Sequence, residues 1–448
     1  MKKDKLKDSL IEQLSSLIEN SRNIKVRILS IRTLGQIKLN SNSILEKSFK
    51  SLFHLLENLL VSDSNELIRN EAAIILNKLF KKRALLPMKW ALIHDESLIC
   101  LDTIHQSLME IIKELEDSNN DDSYLTLKKE VLAIEDKDLK ITIQHNLNHK
   151  NDKFFIKPNL IKILRNYFTL LFLKKSYWRI KYQLKDVAII ELDFSFKVLN
   201  KIPIALKYLK SLKKLTLKYN QILNLPEWVG ELTSLEHLNL NINNINKLPN
   251  SISMLSHLKE LSLWKNELEV LPECIGSLKN LKKLNLRLNQ LNQLPRSLGN
   301  LLELKELDLH DNRLKFLPES ISNLRYLEIL NLSWNLLERL PESIYDLYSL
   351  KVLDLGRNEL KMVSSSIRHL NSLEILNLSE NKLTKLPETI GELVSLRVLN
   401  LSHNELKTLP ETIGSLALLK ELYIVDNQIE DLSSDIRKLE INGLKIIS

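Results

Sequence analysis

Eleven consecutive copies of a 23-residue pattern fill the C-terminal part of this chain, without insertion or deletion. The pattern reads L-x-x-L-x-L-x-x-N-x-L-x-x-L-P-x-x-I-x-x-L, and its copies begin at Ile189, Leu212, Leu235, Leu258, Leu281, Leu304, Leu327, Leu350, Leu373, Leu396 and Leu419. A fixed period of this length is typical of a solenoid, in which each repeat packs on its neighbours. It predicts one domain over residues 189–448, with a truncated twelfth repeat starting at Ile441.

Each repeat contains a strand signal and a helical-turn signal. Apolar and polar residues alternate over residues 281–286, which is the period of a half-buried strand. Asn289 follows, and asparagine suits a turn because its amide bonds nearby backbone groups. Pro295 then favours the start of a helical turn; only Ser364 and Ser433 replace the proline of this position in later repeats. We therefore expect one parallel sheet backed by short helical turns.

The repeat resembles a known family. Its signature L-P-x-x-I-G-x-L stands at residues 386–393, and it is similar to the leucine-rich repeats, in particular the 23-residue intracellular repeats of Ras-associated scaffold proteins. The resemblance implies an α/β solenoid, a horseshoe with the parallel β-sheet on its concave face. It also implies a non-enzymatic scaffold or adaptor in intracellular signalling, with a small GTPase or its regulatory complex among the partners.

Residues 1–150 read as an all-α domain, with apolar residues three and four apart over residues 6–116. The segment N-I-K-V-R that ends at Arg27 matches N-E-L-I-R, which ends at Arg69. This spacing lies inside the period of HEAT and armadillo repeats, and the apolar–arginine pair resembles the second helix of a HEAT repeat. A third copy is expected at Leu98, with Cys100 in place of the arginine. An irregular helical bundle is the alternative.

Residues 151–188 connect the two regions and are rich in aromatic and aliphatic side chains. Terminal repeats of a solenoid need a protected outer face, and a sheet edge needs a cover. We therefore expect these residues to form a helix that caps the first strand of the repeat domain.

Positive charge is concentrated before the repeats. The chain has a formal net charge of +8, with 32 Lys and Arg against 24 Asp and Glu in residues 1–188, and 32 of each kind in residues 189–448. One interpretation is an ordinary solvated helical surface, and the other is a patch that binds nucleic acid or an anionic membrane. We favour the first, because nucleic-acid sites usually concentrate charge more strongly, with aromatic residues among the cations.

The sequence shows no catalytic, cofactor-binding or metal-binding motif. It has no phosphate-binding glycine loop and no metal-ligand or nucleophile signature, so we expect no enzyme and no cofactor. Its two cysteines, Cys100 and Cys274, are far apart in sequence, and no signal-peptide-like or membrane-spanning apolar segment is evident. A cytoplasmic protein, most simply a monomer, is the expectation.

Two sets of repeat positions carry the candidate protein-binding residues. At the third position, four consecutive repeats have apolar residues, Ile329, Val352, Ile375 and Val398. At the seventh and eighth positions the notable residues are Tyr219, Trp264, Arg287, His310, Trp334 and Arg357. Tyr, Trp and Arg dominate the binding energy of protein interfaces. The four apolar residues have a second interpretation as ordinary repeat consensus, because the third position is commonly aliphatic in such repeats.

Overall fold

The computed structural model describes residues 2–37, 46–118, 121–150 and 154–448. They fall into two compact units. The first unit comprises the chain up to Ile190 together with Pro203–Leu209, and the second comprises Glu191–Ile202 together with Lys210–Ser448. The boundary that we predicted between residues 150 and 151 falls beside residues 151–153, which lie outside the described residues.

The first unit is helical up to residue 176, as the apolar periodicity predicts. Its helices are α1 (Lys2–Asn20), α2 (Ile24–Leu34), α3 (Glu46–Ser62), α4 (Glu66–Phe80), α5 (Leu85–His94), α6 (Leu98–Asp117), α7 (Asp121–Leu132), α8 (Lys137–Lys150) and α9 (Lys157–Ser176). Leucine and isoleucine side chains on facing sides of these helices are buried and form the core of the unit.

Two arginines of the helical unit make the same kind of contact. Arg27 of α2 donates a hydrogen bond to Asp63, and Arg69 of α4 donates to both carboxylate oxygens of Asp95, at 2.7 and 3.0 Å. Each aspartate stands two residues before the residue that caps the following even-numbered helix. This repeated arginine–aspartate contact is the structural counterpart of the sequence match between the two segments, and the HEAT-like assignment of the helical region stays a prediction.

The third copy of the helical motif begins one residue later than we expected. Ser97 caps α6 in the way that Asn23 caps α2 and Asn65 caps α4. Counted from these caps, Leu101 takes the arginine position, whereas Cys100 takes a buried apolar position. The expectation for Cys100 was wrong by one residue, because the buried residue that precedes the arginine position is Cys100 and not Ile99, which is 50 % exposed.

The segment that we expected to be helical up to residue 188 contains a strand as well. Helix α9 ends at Ser176, and β1 follows at Lys181–Lys185. Asp186 and Val187 then have φ values of 46° and 61°, and two successive positive φ values are typical of a tight type I′ turn. The capping role of this segment stays a prediction.

The strands form a single sheet in which they lie in chain order. After β1 they are β2 (Ala188–Asp193), β3 (Lys214–Thr216), β4 (His237–Asn239), β5 (Glu260–Ser262), β6 (Lys283–Asn285), β7 (Glu306–Asp308), β8 (Ile329–Asn331), β9 (Val352–Asp354), β10 (Ile375–Asn377), β11 (Val398–Asn400), β12 (Glu421–Tyr423) and β13 (Lys445–Ile447). Strands β2 to β13 pair in parallel, and the same repeat positions face each other up to β12. The solenoid with a parallel sheet is thereby confirmed.

Buried asparagines tie each repeat to its neighbours. Nδ2 of Asn289 donates to the carbonyl oxygens of Leu263 and Leu286, at 3.0 and 2.9 Å. Its Oδ1 accepts from the backbone N–H of Leu268 at 3.1 Å. These bonds satisfy backbone groups that the short strands leave without a partner, which is why asparagine recurs at the ninth position.

The side opposite the sheet consists of short 3₁₀ turns, such as Arg296–Asn300 after Pro295. The last one is replaced by helix α10 (Ser434–Ile441), and β13 then pairs with β12 so that Ile446 faces Leu422. The expected start of the twelfth repeat at Ile441 is therefore wrong by two residues. Ile441 ends α10 and is 85 % exposed.

Candidate functional site

The sheet face of the second unit changes its chemistry between β7 and β8. From β2 to β7 the third positions carry charged or histidine side chains. Neighbouring side chains of this set pair as Glu191–Lys214 (3.9 Å), His237–Glu260 (3.0 Å) and Lys283–Glu306 (2.7 Å). From β8 to β11 the same position is aliphatic. The seventh to tenth repeats, residues 327–418, therefore present a different surface from the earlier repeats.

The four aliphatic residues of these repeats form one continuous row. Ile329 faces Val352, Val352 faces Ile375 and Ile375 faces Val398 in the strand register. Ile329 and Ile375 are each 39 % exposed, and the two valines are half-buried. We call this row the apolar stripe. It keeps aliphatic surface in contact with solvent, which binding of a partner would remove from water.

Beyond the strand ends, four side chains from the sixth to ninth repeats lie against each other. The guanidinium carbon of Arg357 lies 3.9 Å from the ring centroid of Trp334, and Nε of Arg357 donates to Glu380. The ring of His310 lies 6.2 Å from that of Trp334. We call these four residues the Trp334 cluster. Trp334 is 47 % exposed, so one part of the ring is covered by the arginine and another part is open.

The surroundings of His310 favour its neutral form. Burial lowers its pKa, and the positive charge of Arg287 lowers it further. Nδ1 lies 2.7 Å from the hydroxyl of Ser333, and the backbone N–H of His310 donates to Asp308 at 3.0 Å. A neutral imidazole that is fixed at one nitrogen offers its other nitrogen to a ligand as either donor or acceptor.

Trp334 and Arg357 occupy a left-handed backbone position that recurs in every repeat. The eighth-position residues all have φ between 51° and 59°, and they are Phe196, Tyr219, Ile242, Lys265, Leu288, Asp311, Trp334, Arg357, Glu380, His403 and Asp426. None of them is glycine, the residue that adopts this conformation without strain. The residue types at this position did not predict the conformation, because glycine and asparagine are absent and only Asp311, His403 and Asp426 are of types that adopt it readily.

The other predicted residues are placed differently. Tyr219 stacks on Phe196, with ring centroids 4.4 Å apart, in the first two repeats. Trp264 is half-buried, and no hydrogen-bond partner for its buried Nε1 exists among the described residues. Arg287 is exposed, and its charge acts on His310. The structure therefore brings together His310, Trp334 and Arg357, with Arg287 close enough to act electrostatically, but not Tyr219 and Trp264.

Small residues at the seventh position, which the sequence analysis passed over, give this surface its relief. In the seventh to tenth repeats that position is Ser333, Gly356, Ser379 and Ser402. In the second to sixth repeats it is Lys218, Asn241, Trp264, Arg287 and His310. Because these side chains are small, the surface between the apolar stripe and the Trp334 cluster is lower than in the earlier repeats. The sequence analysis considered only the large residues and therefore missed these small ones.

Cations of the helical unit are engaged by acceptors of the same unit. Lys157 donates to the carbonyl oxygens of Glu116 and Ser118, Arg165 pairs with the carboxylate of Glu116, and Lys174 pairs with Asp136 at 2.7 Å. The positive charge of this segment is therefore partly met by protein groups. These contacts do not favour the nucleic-acid or membrane alternative.

Two other kinds of feature, a metal centre and a membrane-spanning helix, are absent from the described ranges. Within them, no cluster of three or more His, Cys, Asp or Glu side chains is arranged to hold a metal ion. None of the helices described has both the length and the apolar character needed to cross a bilayer. Cys100 and Cys274 are free thiols, the first buried and the second partly exposed.

The repeats match two family models. One, described as a leucine-rich repeat region, covers residues 348–441, and the other, described as leucine rich repeat, covers residues 233–291 and 256–314. Together with the parallel sheet and its 23-residue register, these matches identify the fold of the second unit. The chain is a leucine-rich-repeat protein with an all-helical N-terminal region.

Several solved structures are similar to the solenoid. The Leptospira interrogans leucine-rich-repeat protein LIC12759 is 40 % identical, with a TM-score of 0.55, and the match covers 57 % of this chain and 65 % of that one, less than two thirds of its length. The functional domain of InlJ from Listeria monocytogenes is 23 % identical (TM-score 0.47, 54 % and 50 % covered) and shares the fold alone. The same holds for a complex that contains the leucine-rich repeats of FLRT2, at 23 % identity (TM-score 0.47, 55 % and 83 % covered). No curated protein matches.

Proposed function

We propose that this protein is a non-enzymatic adaptor that binds a partner protein on the sheet face of the seventh to tenth repeats. The observation that carries the proposal is the partly exposed Trp334, stacked under Arg357 beside the apolar stripe. Tryptophan and arginine are the side chains whose removal costs most at protein interfaces. The stacking holds both side chains in place before a partner arrives, so little conformational entropy remains to be lost on binding.

The rest of the proposal concerns the partner and the setting. The resemblance to the repeats of Ras-associated scaffold proteins makes a small GTPase, or its regulatory complex, the first partner class to test, and intracellular signalling the role. Two free cysteines fit a reducing compartment such as the cytoplasm. We propose a monomer that presents the surface as a rigid solenoid.

The test is a binding comparison between variants of the full chain. The site variant combines Trp334→Ala with Ile375→Arg, and the matched control is Tyr219→Ala, an aromatic residue at the same repeat position but outside the cluster. Proteins captured from native cell extract are identified by mass spectrometry, and purified small GTPases are titrated in both nucleotide states. Thermal unfolding establishes that each variant is folded.

We expect the bound protein to be lost from the site variant and retained by Tyr219→Ala. If every protein that binds the wild-type chain binds the site variant with unchanged affinity, the surface is not the binding site and the proposal fails. Loss from both variants alike would attribute the effect to general destabilisation of the solenoid and would also contradict it.

A further inference from the structure

Five consecutive strands, β6 to β10, carry an alternating row of amides and carboxylates at their fifth positions. The residues are Asn285, Asp308, Asn331, Asp354 and Asn377, and they face each other in the strand register. We call this row the Asn–Asp ladder. All five side chains are partly exposed. Amide and carboxylate thus each recur with a period of two repeats on the floor of the surface described above.

Backbone hydrogen bonds fix the orientation of every side chain in the ladder. In each case Oδ1 accepts from the backbone N–H two residues later, at 3.0 Å. In a carboxamide only the oxygen can accept from an N–H, so the amide nitrogen of each asparagine occupies the other branch. Where asparagine stands, the ladder therefore presents a donor, and where aspartate stands it presents a second carboxylate oxygen.

The donors are available to a ligand. Nδ2 of Asn285 and Nδ2 of Asn331 have no acceptor within the described part of the chain, and Nδ2 of Asn377 donates one of its two hydrogens to Asp354 at 2.8 Å. Partly exposed amide N–H groups of this kind exchange bonds to water for bonds to a partner at little cost. The ladder is thus a row of pre-oriented donors separated by negative charges.

The spacing of the donors selects one backbone conformation. Neighbouring strands lie about 4.8 Å apart, so alternate asparagines are about 9.6 Å apart. A polyproline II helix repeats every three residues, or about 9.3 Å, and its carbonyl groups have no internal hydrogen bonds. An extended strand repeats about every 6.7 Å and an α-helix about every 5.4 Å, so neither stays in phase with the ladder.

We propose that the Asn–Asp ladder binds a polyproline II segment of a partner protein that carries lysine or arginine at every third position. Every third carbonyl of the segment accepts from an asparagine, and the cations lie over Asp308 and Asp354. The inference rests on the proposed function, since it names the partner segment for the same surface. Proline rings pack on the apolar stripe and on Trp334, as proline-rich ligands do in aromatic-lined grooves.

The charges around the ladder favour a cationic segment. Lys283 is paired with Glu306 and Arg357 with Glu380, so these four side chains neutralise each other. The two negative charges of Asp308 and Asp354 then exceed the one positive charge of Arg287. Burial and the charge of Arg287 lower the pKa of His310, which disfavours the protonated imidazole that would oppose a cationic ligand.

The test is fluorescence anisotropy of the full chain with three labelled twelve-residue peptides. The probe is (Pro-Pro-Arg)₄, the flexible comparison with the same charge is (Gly-Ser-Arg)₄, and the charge-reversed comparison is (Pro-Pro-Glu)₄. The donor variant combines Asn285→Ser with Asn331→Ser, because Ser262 holds the same position in β5 and the repeat tolerates serine there. The matched control is Asn400→Ser.

Asn400 is a suitable control because it makes the same turn but does not follow the two-repeat spacing of the asparagines in the ladder. Its Oδ1 accepts from the N–H of Ser402 at 3.1 Å, and it stands only one repeat after Asn377. We expect (Pro-Pro-Arg)₄ to bind more tightly than either comparison peptide. Two lost hydrogen bonds should weaken its binding to the donor variant by about tenfold, while Asn400→Ser changes it less than about twofold.

Three outcomes would overturn the inference: no binding of (Pro-Pro-Arg)₄, equal binding of (Gly-Ser-Arg)₄, or equal losses in the donor variant and in Asn400→Ser. A captured protein that is lost from the Trp334→Ala and Ile375→Arg variant, yet unaffected by the donor variant, overturns this inference alone and leaves the proposed function standing. A captured protein that both variants retain overturns both.

Discussion

The backbone N–H of Ser364 donates to the hydroxyl of Tyr345 at 3.3 Å. Tyr345 is 2 % exposed and stands at the nineteenth position of its repeat, where Gly391 stands two repeats later. Ser364 stands where the next repeat should have proline. Proline has no N–H to donate, so two departures from the repeat pattern compensate each other. The buried hydroxyl gains a donor that the consensus residue would not supply.

Ser364→Pro should therefore destabilise the wild-type solenoid but not a Tyr345→Phe solenoid. Ser364 has φ −69° and ψ 150°, close to the values of Pro387, so proline fits the backbone. We expect a loss of about 1 kcal/mol in the free energy of unfolding when Tyr345 is present. With phenylalanine in its place, we expect no loss or a gain of up to about 1 kcal/mol from the stiffer unfolded chain.

Urea unfolding of the four variants measures this coupling. Ser364→Ala serves as the control, because it keeps the N–H while removing the bonds that the Ser364 hydroxyl makes with Glu342 and Ser366. Equal effects of Ser364→Pro in the two backgrounds would show that the N–H has no role.

The repeat register, the parallel sheet and the buried asparagines followed from the sequence, because each depends on residues that recur every 23 positions. The places where the period breaks were harder to predict. The replacement of a proline by Ser433 was visible in the sequence. Nothing in the pattern indicated that an α-helix would follow, or that Ile446 rather than Leu444 would face Leu422. The length of a helix depends on packing that a repeat pattern does not encode.

The candidate site was predictable in its residue types and not in its contacts. The four residues of the apolar stripe share a repeat position, so their alignment follows from the register alone. The stacking of Arg357 on Trp334 depends on a left-handed φ at both residues, which neither residue type indicates. Tyr219 and Trp264 were included for their chemistry, but distance along the solenoid separates Tyr219 from the cluster.

His105 should make the helical unit sensitive to acid. It is fully buried, its Nε2 lies 3.1 Å from the hydroxyl of Thr169, and no partner for its Nδ1 exists among the described residues. Burial, helped by the charge of Lys207, lowers its pKa to about 3, against about 6.5 in an unfolded chain. Between these values the unfolded state binds a proton that the folded state does not, so stability falls as pH falls.

From pH 7 to pH 5 the wild-type unit should lose about 2 kcal/mol more in its free energy of unfolding than His105→Leu. Urea unfolding at both pH values, followed by circular dichroism of the helices, measures the difference. His54→Gln is the control, because the side chain of His54 is 67 % exposed, and it should keep the wild-type pH dependence. An unchanged dependence in His105→Leu would contradict the assignment.

Removing only the arginine from the contact between Arg69 and Asp95 should destabilise the helical unit. The side chains are 18 % and 3 % exposed, and removal of the arginine leaves a buried carboxylate without its cation. We expect Arg69→Met to lower the free energy of unfolding of the helical unit by about 3 kcal/mol. Adding Asp95→Asn, which removes the charge and keeps an acceptor for Ser97, should recover most of this loss.

The matched comparison for Arg69 is Arg165→Met. Arg165 pairs with Glu116, whose side chain is 43 % exposed, so water replaces the lost contact and the effect should be much smaller. If Arg165→Met and Arg69→Met destabilise the unit equally in urea, burial of the aspartate is not the reason for the cost.

Lys265 offers a direct measure of the backbone strain at the eighth position. It has φ 56° and an exposed side chain, so replacing it removes strain without removing packing. Asparagine tolerates the left-handed region better than lysine, and Lys265→Asn should raise the free energy of unfolding by about 0.5–1 kcal/mol. The control is Lys282→Asn, an exposed lysine just before β6, where asparagine is disfavoured and stability should stay equal or fall. If both substitutions move the urea midpoint in the same direction, side-chain chemistry rather than the left-handed backbone sets the difference.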